Sequence, residues 1–461
     1  MECMKKLVKI TIFAVLVCLG VSLFACNNEG YTNPQLPEDY VVDPRGKIKV
    51  SMWLRSGPES EIALDNWIKA YTEHYPNVKV RTDIIEWAQF PVQVAAGDIG
   101  DVYYTADCDV YNYSGRYRSA MALDSYIENM NIDIQQMYTA VYDLGCYNGL
   151  LYMVPSDITQ SVFYTNVTML KAEGLEKPSM DWTWDDFRDY CARLRKVNSD
   201  GTYEQVGAFF ESNYACGLTF WLGSWGGKWY DTVNKKVHFS SDENVVRGIF
   251  ELIDLVDKGY ASTQNLLGEI GAKHANLEDP QSFGFKYGLH YGILYQDRIE
   301  LKKEYDILGL EMDVCTLPKT PVISIPGEAF GYMVYSKTKN PDAAATFALF
   351  LLTLEGQKAF NNVIGGGIPC TREGIASGVW RIPYPEGTFN YDAFLVYPEA
   401  FCACWSECYV PPEISKIINE SLMVLVANHL NNKKDYKDAL RELEQTANER
   451  WETIFEEAAA L

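Results

Sequence analysis

Lys47-Ile48-Lys49-Val50-Ser51-Met52-Trp53 is the stretch whose reading decides the fold. Ile48, Val50 and Met52 alternate with Lys47, Lys49 and Ser51, the period of a half-buried strand. Arg55-Ser56-Gly57-Pro58 then breaks it. From Glu59, the apolar Ile62, Leu64, Trp67, Ile68 and Tyr71 recur near helical spacing until Pro76, and Val78, Val80 and Ile84 begin a second strand. The unit is β-α-β, which requires a parallel sheet covered by helices.

The same reading extends down the chain. Phe90 to Ala96 predicts a short helix closed at Gly97, and Asp101 to Tyr104 a buried strand opening into a polar, aromatic loop, Thr105 to Tyr113. Leu150 to Pro155 and Ser161 to Tyr164 read as extended. Thr183-Trp184-Asp185-Asp186 has the order of a capping box, followed by Phe187, Tyr190, Cys191 and Leu194 on one helical face. Further on come a strand over Tyr203 to Phe210 and a helix carrying Val245, Val246, Ile249, Phe250, Ile253 and Val256. Val314 to Leu317 and Phe330 to Tyr335 read as strands, and a single helix runs from Pro341 to about Asn361. Gly365-Gly366-Gly367 is a joint, and two helices, Pro411 to His429 and Asp435 to Ala460, close the chain.

The N-terminus has a basic start with Lys5, Lys6 and Lys9, an apolar run from Ile10 to Ala25, and then Cys26. This is the layout of a secretory signal, the apolar run being short for a spanning helix of about 20 residues. Asn27 to Gly46, rich in Asn, Pro, Glu and Asp, reads as a flexible tether. The 461 residues carry a formal charge of −22, and the leader is basic, so the body is more acidic still. That balance repels nucleic acid and anionic lipid. With 48% hydrophobic residues the body has enough apolar surface to fold, and length favours two or more domains. Nine of the twelve cysteines lie beyond Cys26, an odd number, so disulfides within a monomer leave one over. Cys402, Cys404 and Cys408 lack the second pair or histidine of a zinc site, and His74, His238, His274, His290 and His429 are scattered, so no metal is expected. No cofactor motif occurs.

Several fragments occur together in order: the Trp53 strand with its helix and Tyr75-Pro76-Asn77-Val78, then Ala96-Gly97-Asp98 before Asp101-Val102. After these come Gly149-Leu150-Leu151-Tyr152 with Pro155, Tyr164-Thr165-Asn166, Trp182 to Phe187, Gly226-Gly227, Leu317-Pro318 and Gly367-Ile368-Pro369. In these the sequence resembles the extracellular solute-binding protein family 1, the oligosaccharide-binding receptors of ABC importers, from about Ile48 to the final helix. It departs at Ile99-Gly100, where the family has a proline before the Asp, and at Glu328, where it commonly has glycine. Leu23-Phe24-Ala25-Cys26 resembles the lipobox of bacterial lipoproteins, with Cys26 the diacylated residue.

The resemblance implies an α/β, two-lobed periplasmic-binding-protein-like fold of type II, with discontinuous lobes, a hinge and a ligand cleft between them. Residues 1–25 would be the signal peptide and 26–46 the tether. Lobe one would take 47–160 and 318–368, and lobe two 166–315 and 371–461, with hinge crossings near 161–165, 314–317 and 368–370. The implied protein is a monomer held outside the cytoplasmic membrane by its lipid, delivering a saccharide to ABC permease subunits.

In open α/β sheets ligands bind beyond the carboxyl ends of the strands. Sugars need aromatic planes for their C–H faces and carboxylates or amides for their hydroxyls. On both grounds the candidate contacts are Trp53, Glu59, Trp87, Tyr104 and Asp107 from the first half. The second half offers Tyr214, Trp221 and Trp225 beside Gly226-Gly227, then Tyr291, Tyr295 and Trp405. Trp67, Trp184 and Trp451 fall at helical positions and read as core. No Lys or Arg cluster accompanies these candidates, which favours a neutral saccharide over an anionic one. Three alternatives share the residues: a receptor for a non-sugar polar solute, a sensor input, and a secreted glycosidase using two of the 62 acidic residues. The recognisable hydrolase and nucleotide-binding motifs are absent.

Overall fold

The first strand alternates only as far as its neighbours allow. In the computed structural model, which describes residues 36–37, 39–55, 57–210, 216–263, 273, 287–292, 297–382 and 389–459, Ile48, Val50 and Met52 are buried as the alternation predicts. Ser51 is buried as well, because parallel strands flank it on both sides. The strands that build the two main sheets are, in chain order, β1 (Gly46–Met52), β2 (Val78–Ile84), β3 (Val102–Ala106), β4 (Met153–Gln160), β5 (Val162–Asn166) and β6 (Tyr203–Phe210). They continue with β7 (Ala261–Thr263), β8 (Tyr287–Gly292), β9 (Met312–Cys315), β10 (Ile325–Val334) and β11 (Phe401–Ala403).

One sheet has the order β11-β10-β3-β1-β2, with β4 also pairing β10; the other has the order β7-β6-β8-β5-β9. Both belong to one compact unit, residues 41–461. The chain passes from the first sheet to the second through the single residue Ser161, between β4 and β5. It returns between β9 and β10. Ile368 forms a bridge to Ile158, next to the first crossing. β11, from the C-terminal part of the chain, joins the first sheet by parallel pairing of Phe401 to Ala403 with Ile325 to Gly327.

Local chemistry explains the elements near the site. The helix α1 (Pro58–His74) follows β1 and packs Trp67 against Phe347 at 3.9 Å, Tyr332 and Phe360. The helix α2 (Phe90–Ala96) ends on Gly97 with φ 71°, a left-handed cap that glycine adopts without strain. Gly100, one of the two departures from the family pattern, is held by close approach: a Cβ there would lie 2.5 Å from the Lys49 carbonyl oxygen. In the second half, Thr183 caps α3 (Trp184–Leu194) through the reciprocal box with Asp186. Its buried face, Phe187, Cys191 and Leu194, matches the predicted stripe, although Tyr190 is only half-buried. The helix α4 (Glu243–Asp257) buries Val245, Ile249, Ile253 and Val256 but leaves Phe250 exposed. Two C-terminal helices, Pro412–Leu430 and Tyr436–Ala459, add Ile418, Leu422, Leu440 and Trp451 to the same core.

Two expectations change. The helix expected from Pro341 to Asn361 is broken into Pro341–Leu349 and Leu354–Asn361. Thr353 turns extended between them and its hydroxyl takes the Gly356 N–H, so the second piece has a cap of its own. The expected loop Thr105 to Tyr113 is instead wound, with β3 reaching Ala106, a 3₁₀ turn over Asp107–Asp109 and a π-helical turn over Tyr111–Arg116. Of the expected tether, residues 27–35 lie outside the described residues; Asp43 donates its N–H to Asp342 at 2.9 Å.

Thr183→Ala should lower stability by about 1 kcal/mol, the value of an N-cap, and Trp67→Ala by about 3–5 kcal/mol, the value of a large core deletion. Urea denaturation of both variants measures the difference.

Candidate functional site

At the carboxyl end of β1, Arg55 turns inward rather than to solvent. Its Nη2 donates to Asp157 Oδ1 of β4 at 2.6 Å, and its guanidinium carbon lies 3.8 Å from the centre of the Phe330 ring on β10. The side chain is 9% exposed, and neither Nε nor Nη1 has a hydrogen-bond partner. Asp157 is fully buried and also accepts from the Ser156 hydroxyl at 2.9 Å. Gly367, at φ 67°, makes room for it, since a Cβ there would be 2.4 Å from Asp157 Oδ1.

Burial works against the Arg55 charge, but Asp157 and the neighbouring Tyr104 and Glu328 outweigh it and hold its pKa above the ordinary arginine value. Burial raises the pKa of Asp157, with Arg55 pulling the other way. The pair is ionised, because a guanidinium keeps its proton in a protein and the Asp157 carboxylate accepts from it directly.

Aromatic rings wall this pair. Trp53 meets Tyr104 edge-on at 5.0 Å and Phe330 at 6.3 Å, and Tyr104 stacks on Phe330 at 6.1 Å. Beyond them Glu328, 3% exposed, accepts from Trp405 Nε1 and, at 3.7 Å, from the Cys404 thiol. Asp107, equally buried, takes the Ala329 N–H on Oδ2 at 3.2 Å and leaves Oδ1 without a partner. Burial, reinforced by Glu328, pushes Asp107 up to about 8, and burial pushes Asp109 up to about 6. Glu328 is likewise raised by burial. At the last residue of β4, Gln160 is 1% exposed with both amide atoms unpartnered. Buried polar groups are nearly always paired, so the open atoms on Arg55 and Asp107 single out this end of the first sheet as the candidate site, whereas Gln160, three residues beyond Asp157 in the same strand, falls on its opposite face.

Trp53, Tyr104, Asp107 and Trp405 are therefore brought together. Trp87 stands apart at 67% exposure, in the 3₁₀ turn Trp87–Gln89. Glu59 sits partly exposed in the first turn of α1, its backbone close against Gly365. Trp221 and Trp225 stack on each other at 5.9 Å inside the second core, with ring contacts to Trp184 and Phe220. The backbone of Tyr291 pairs with Phe163 and Phe210 in β8, and its side chain is outside the described ones. Tyr214, Tyr295 and Cys26 lie outside the described residues.

Trp225 also borders a surface cavity of about 710 Å³ with Trp184, Arg188, Arg247, Glu251 and Asp254. There Arg188 is bound to Glu251 and Asp254, Arg247 to Glu251, and Lys258 to Asp254. Its charges are matched within the chain. The Arg55 cluster, where they are not, is the candidate site.

Sequence reasoning missed Arg55, Asp157, Gln160 and Phe330, and it registered Glu328 only as a departure. A signal was present. Ser156, Asp157, Thr159, Gln160 and Ser161 are polar residues in a run whose apolar neighbours bury both faces, a pattern that polar groups enter only with partners.

The model of the bacterial extracellular solute-binding protein family matches residues 57–358. The chain belongs to that family. Among curated proteins none matches the sequence. Solved structures do. An ABC substrate-binding protein from Listeria monocytogenes in complex with cycloalternan aligns with a TM-score of 0.65 at 18% identity, covering 88% of this chain and 99% of the other. The sugar-binding protein MalE from Xanthomonas citri gives 0.70 at 16%, covering 89% and 99%. A solute-binding protein from Thermotoga lettingae bound with α-D-tagatose gives 0.62 at 14%, covering 88% and 99%. At these identities the likeness is one of fold: this solute-binding protein has the two-lobed type II periplasmic-binding-protein architecture. Among the described residues no helix is long and apolar enough to cross a membrane, and no group of three or more potential metal ligands is found.

Removing one partner of the buried pair leaves the other uncompensated. Arg55→Met and Asp157→Leu should each destabilise the protein by about 3–5 kcal/mol, whereas the double variant should lose clearly less than their sum. A double-mutant cycle in urea measures the coupling; additive losses would show that the pair is not linked.

Proposed function

We propose that this protein is the lipid-anchored receptor of an ABC importer, that it closes on a carbohydrate, most naturally an oligosaccharide, and that it hands it to a membrane permease. The observation that carries the reading is the pair of unpartnered donors on buried Arg55, walled by Trp53, Tyr104 and Phe330, with the unpartnered oxygen of buried Asp107 on the turn that follows Tyr104's strand. A sugar presents hydroxyls to such atoms and C–H faces to such rings. The similar structures are described with cycloalternan and tagatose bound, which supports the same ligand class here.

In this reading Arg55 donates to ring hydroxyls, Asp107 accepts, and Trp53, Tyr104 and Trp405 stack. Tyr214, Tyr291 and Tyr295 supply the contacts from the second half. Lobe one comprises 47–160 and 318–368, and lobe two 166–315 and 371–461, with β11 reaching back to the first sheet. The crossings at Ser161, between β9 and β10, and near Ile368 act as the hinge. Ligand favours the closed form only by its differential affinity for it. Cys26 carries the lipid, and the body acts as a monomer.

A thermal-shift screen of residues 41–461 against saccharides tests the reading. A ligand at a hundred times its Kd adds about 2.7 kcal/mol and raises the midpoint. A shift with one glycan class, with that glycan recovered intact, supports a receptor; cleavage of the glycan would replace it with a hydrolase. Separately, Cys26→Ser should move the full chain from the membrane to the soluble fraction on cell fractionation. Retention on the membrane would refute lipidation at that residue.

A further inference from the structure

The inner end of the site holds more carboxylate than cation. Among the described residues Arg55 is the one cation there, and its Nη2 is committed to Asp157. That leaves Asp107 and Glu328, which repel each other and are both about 97% buried. Among the described residues, the groups that face them supply no positive charge beyond that of Arg55. Cys108 and Asp109 share the turn of Asp107, and Cys408 and Tyr409 approach it from the segment after β11. Glu407 adds a further negative charge beside Cys108, and Arg55 faces Glu328. Trp405 Nε1 satisfies one oxygen of Glu328, while Asp107 Oδ1 has no donor.

We infer that the ligand carries a protonated amino group and that Asp107 and Glu328 receive it, so that the saccharide taken up is an amine-bearing one. This deepens the reading of the site as a saccharide receptor and rests on it. With Arg55 balanced by Asp157, two further buried carboxylates resist ionising together unless something positive joins them. Without ligand, a proton does so. An ammonium group does it better, because its three N–H donors fill the vacancy at Oδ1 and its charge lets both carboxylates ionise. A neutral hydroxyl in the same place leaves one carboxyl protonated and gains less.

The pH dependence follows with a definite sign. Asp107 is raised to about 8 by burial and by Glu328, so at pH 6 it is protonated in the empty site. An ammonium displaces that proton. Affinity for the amine then rises with pH, by at most about tenfold per unit, until Asp107 is ionised without help.

The experiment is calorimetry on the full chain with two probes: a pool of amine-bearing oligosaccharides of mixed linkage, and the same pool after N-acetylation has made every amine a neutral amide. The amine pool should bind more tightly, and its affinity should fall at least tenfold in Asp107→Asn and in Glu328→Gln. At pH 6 the heat measured in buffers of different ionisation enthalpy should reveal release of about one proton. Equal or tighter binding of the acetylated pool overturns the inference and leaves the saccharide reading standing. Binding of the amine without proton release overturns the role of Asp107 even where the variants fold poorly. If neither pool binds a folded protein, the saccharide reading fails and this one with it.

Discussion

Arg55 and Asp157 lie 102 residues apart, one just beyond β1 and the other inside β4, and their contact fixes how the first sheet ends. A guanidinium buried to this degree is tolerable only beside a carboxylate and against a flat surface, and both are present in Asp157 and Phe330. Several features follow. Gly367 must lack a side chain to leave Asp157 its place, Tyr104 must stack on Phe330, and Trp53 must close the edge. The pair holds together the end of β1, the strand entering the first crossing and the Gly365 to Gly367 joint.

The site is built on rigid elements, and this matters for recognition. Asp107, Glu328, Asp157 and Gln160 stand on or just beyond strands of one sheet, where the ladder holds their backbones in place. Burial keeps them from solvent, and Asp157 and Glu328 are met by donors of the chain while Asp107 keeps one oxygen open. The same burial raises the carboxyl pKa values and makes the charge state of the site depend on what occupies it. The matched cavity bordered by Trp225 shows the contrast. It is larger in volume than chemistry requires, yet its arginines already have their carboxylates.

Much of the fold was legible in sequence because it depends on local periodicity. The β1-α1-β2 unit, the Gly97 cap, the Thr183 capping box and the strand Tyr203–Phe210 fall where period and capping chemistry put them. The break at Thr353 was not legible, since Pro341 to Asn361 carries no proline or cap signal strong enough to override its helical run. Of the candidate site, Trp53, Tyr104, Asp107 and Trp405 were found from strand ends and aromatic character. Trp221 and Trp225 were drawn in by the neighbouring glycines, but Gly248 packs directly on the Trp221 carbonyl and Gly227 on the Leu222 carbonyl. Those glycines serve helix packing.

The sequence by itself determined most of the segments that become strands and helices, and that the body is an acidic, aromatic-rich α/β chain. These are properties of neighbouring residues, set by backbone geometry and side-chain spacing. Only the tertiary structure decided that Arg55 meets Asp157, that Glu328 joins Asp107, and that Trp405 donates to Glu328. Their separations in sequence run to hundreds of residues, and no local rule relates them. Charge pairing and hydrogen-bond satisfaction inside a low-dielectric core are decided by what packing brings within about 3 Å, which spacing along the chain does not encode.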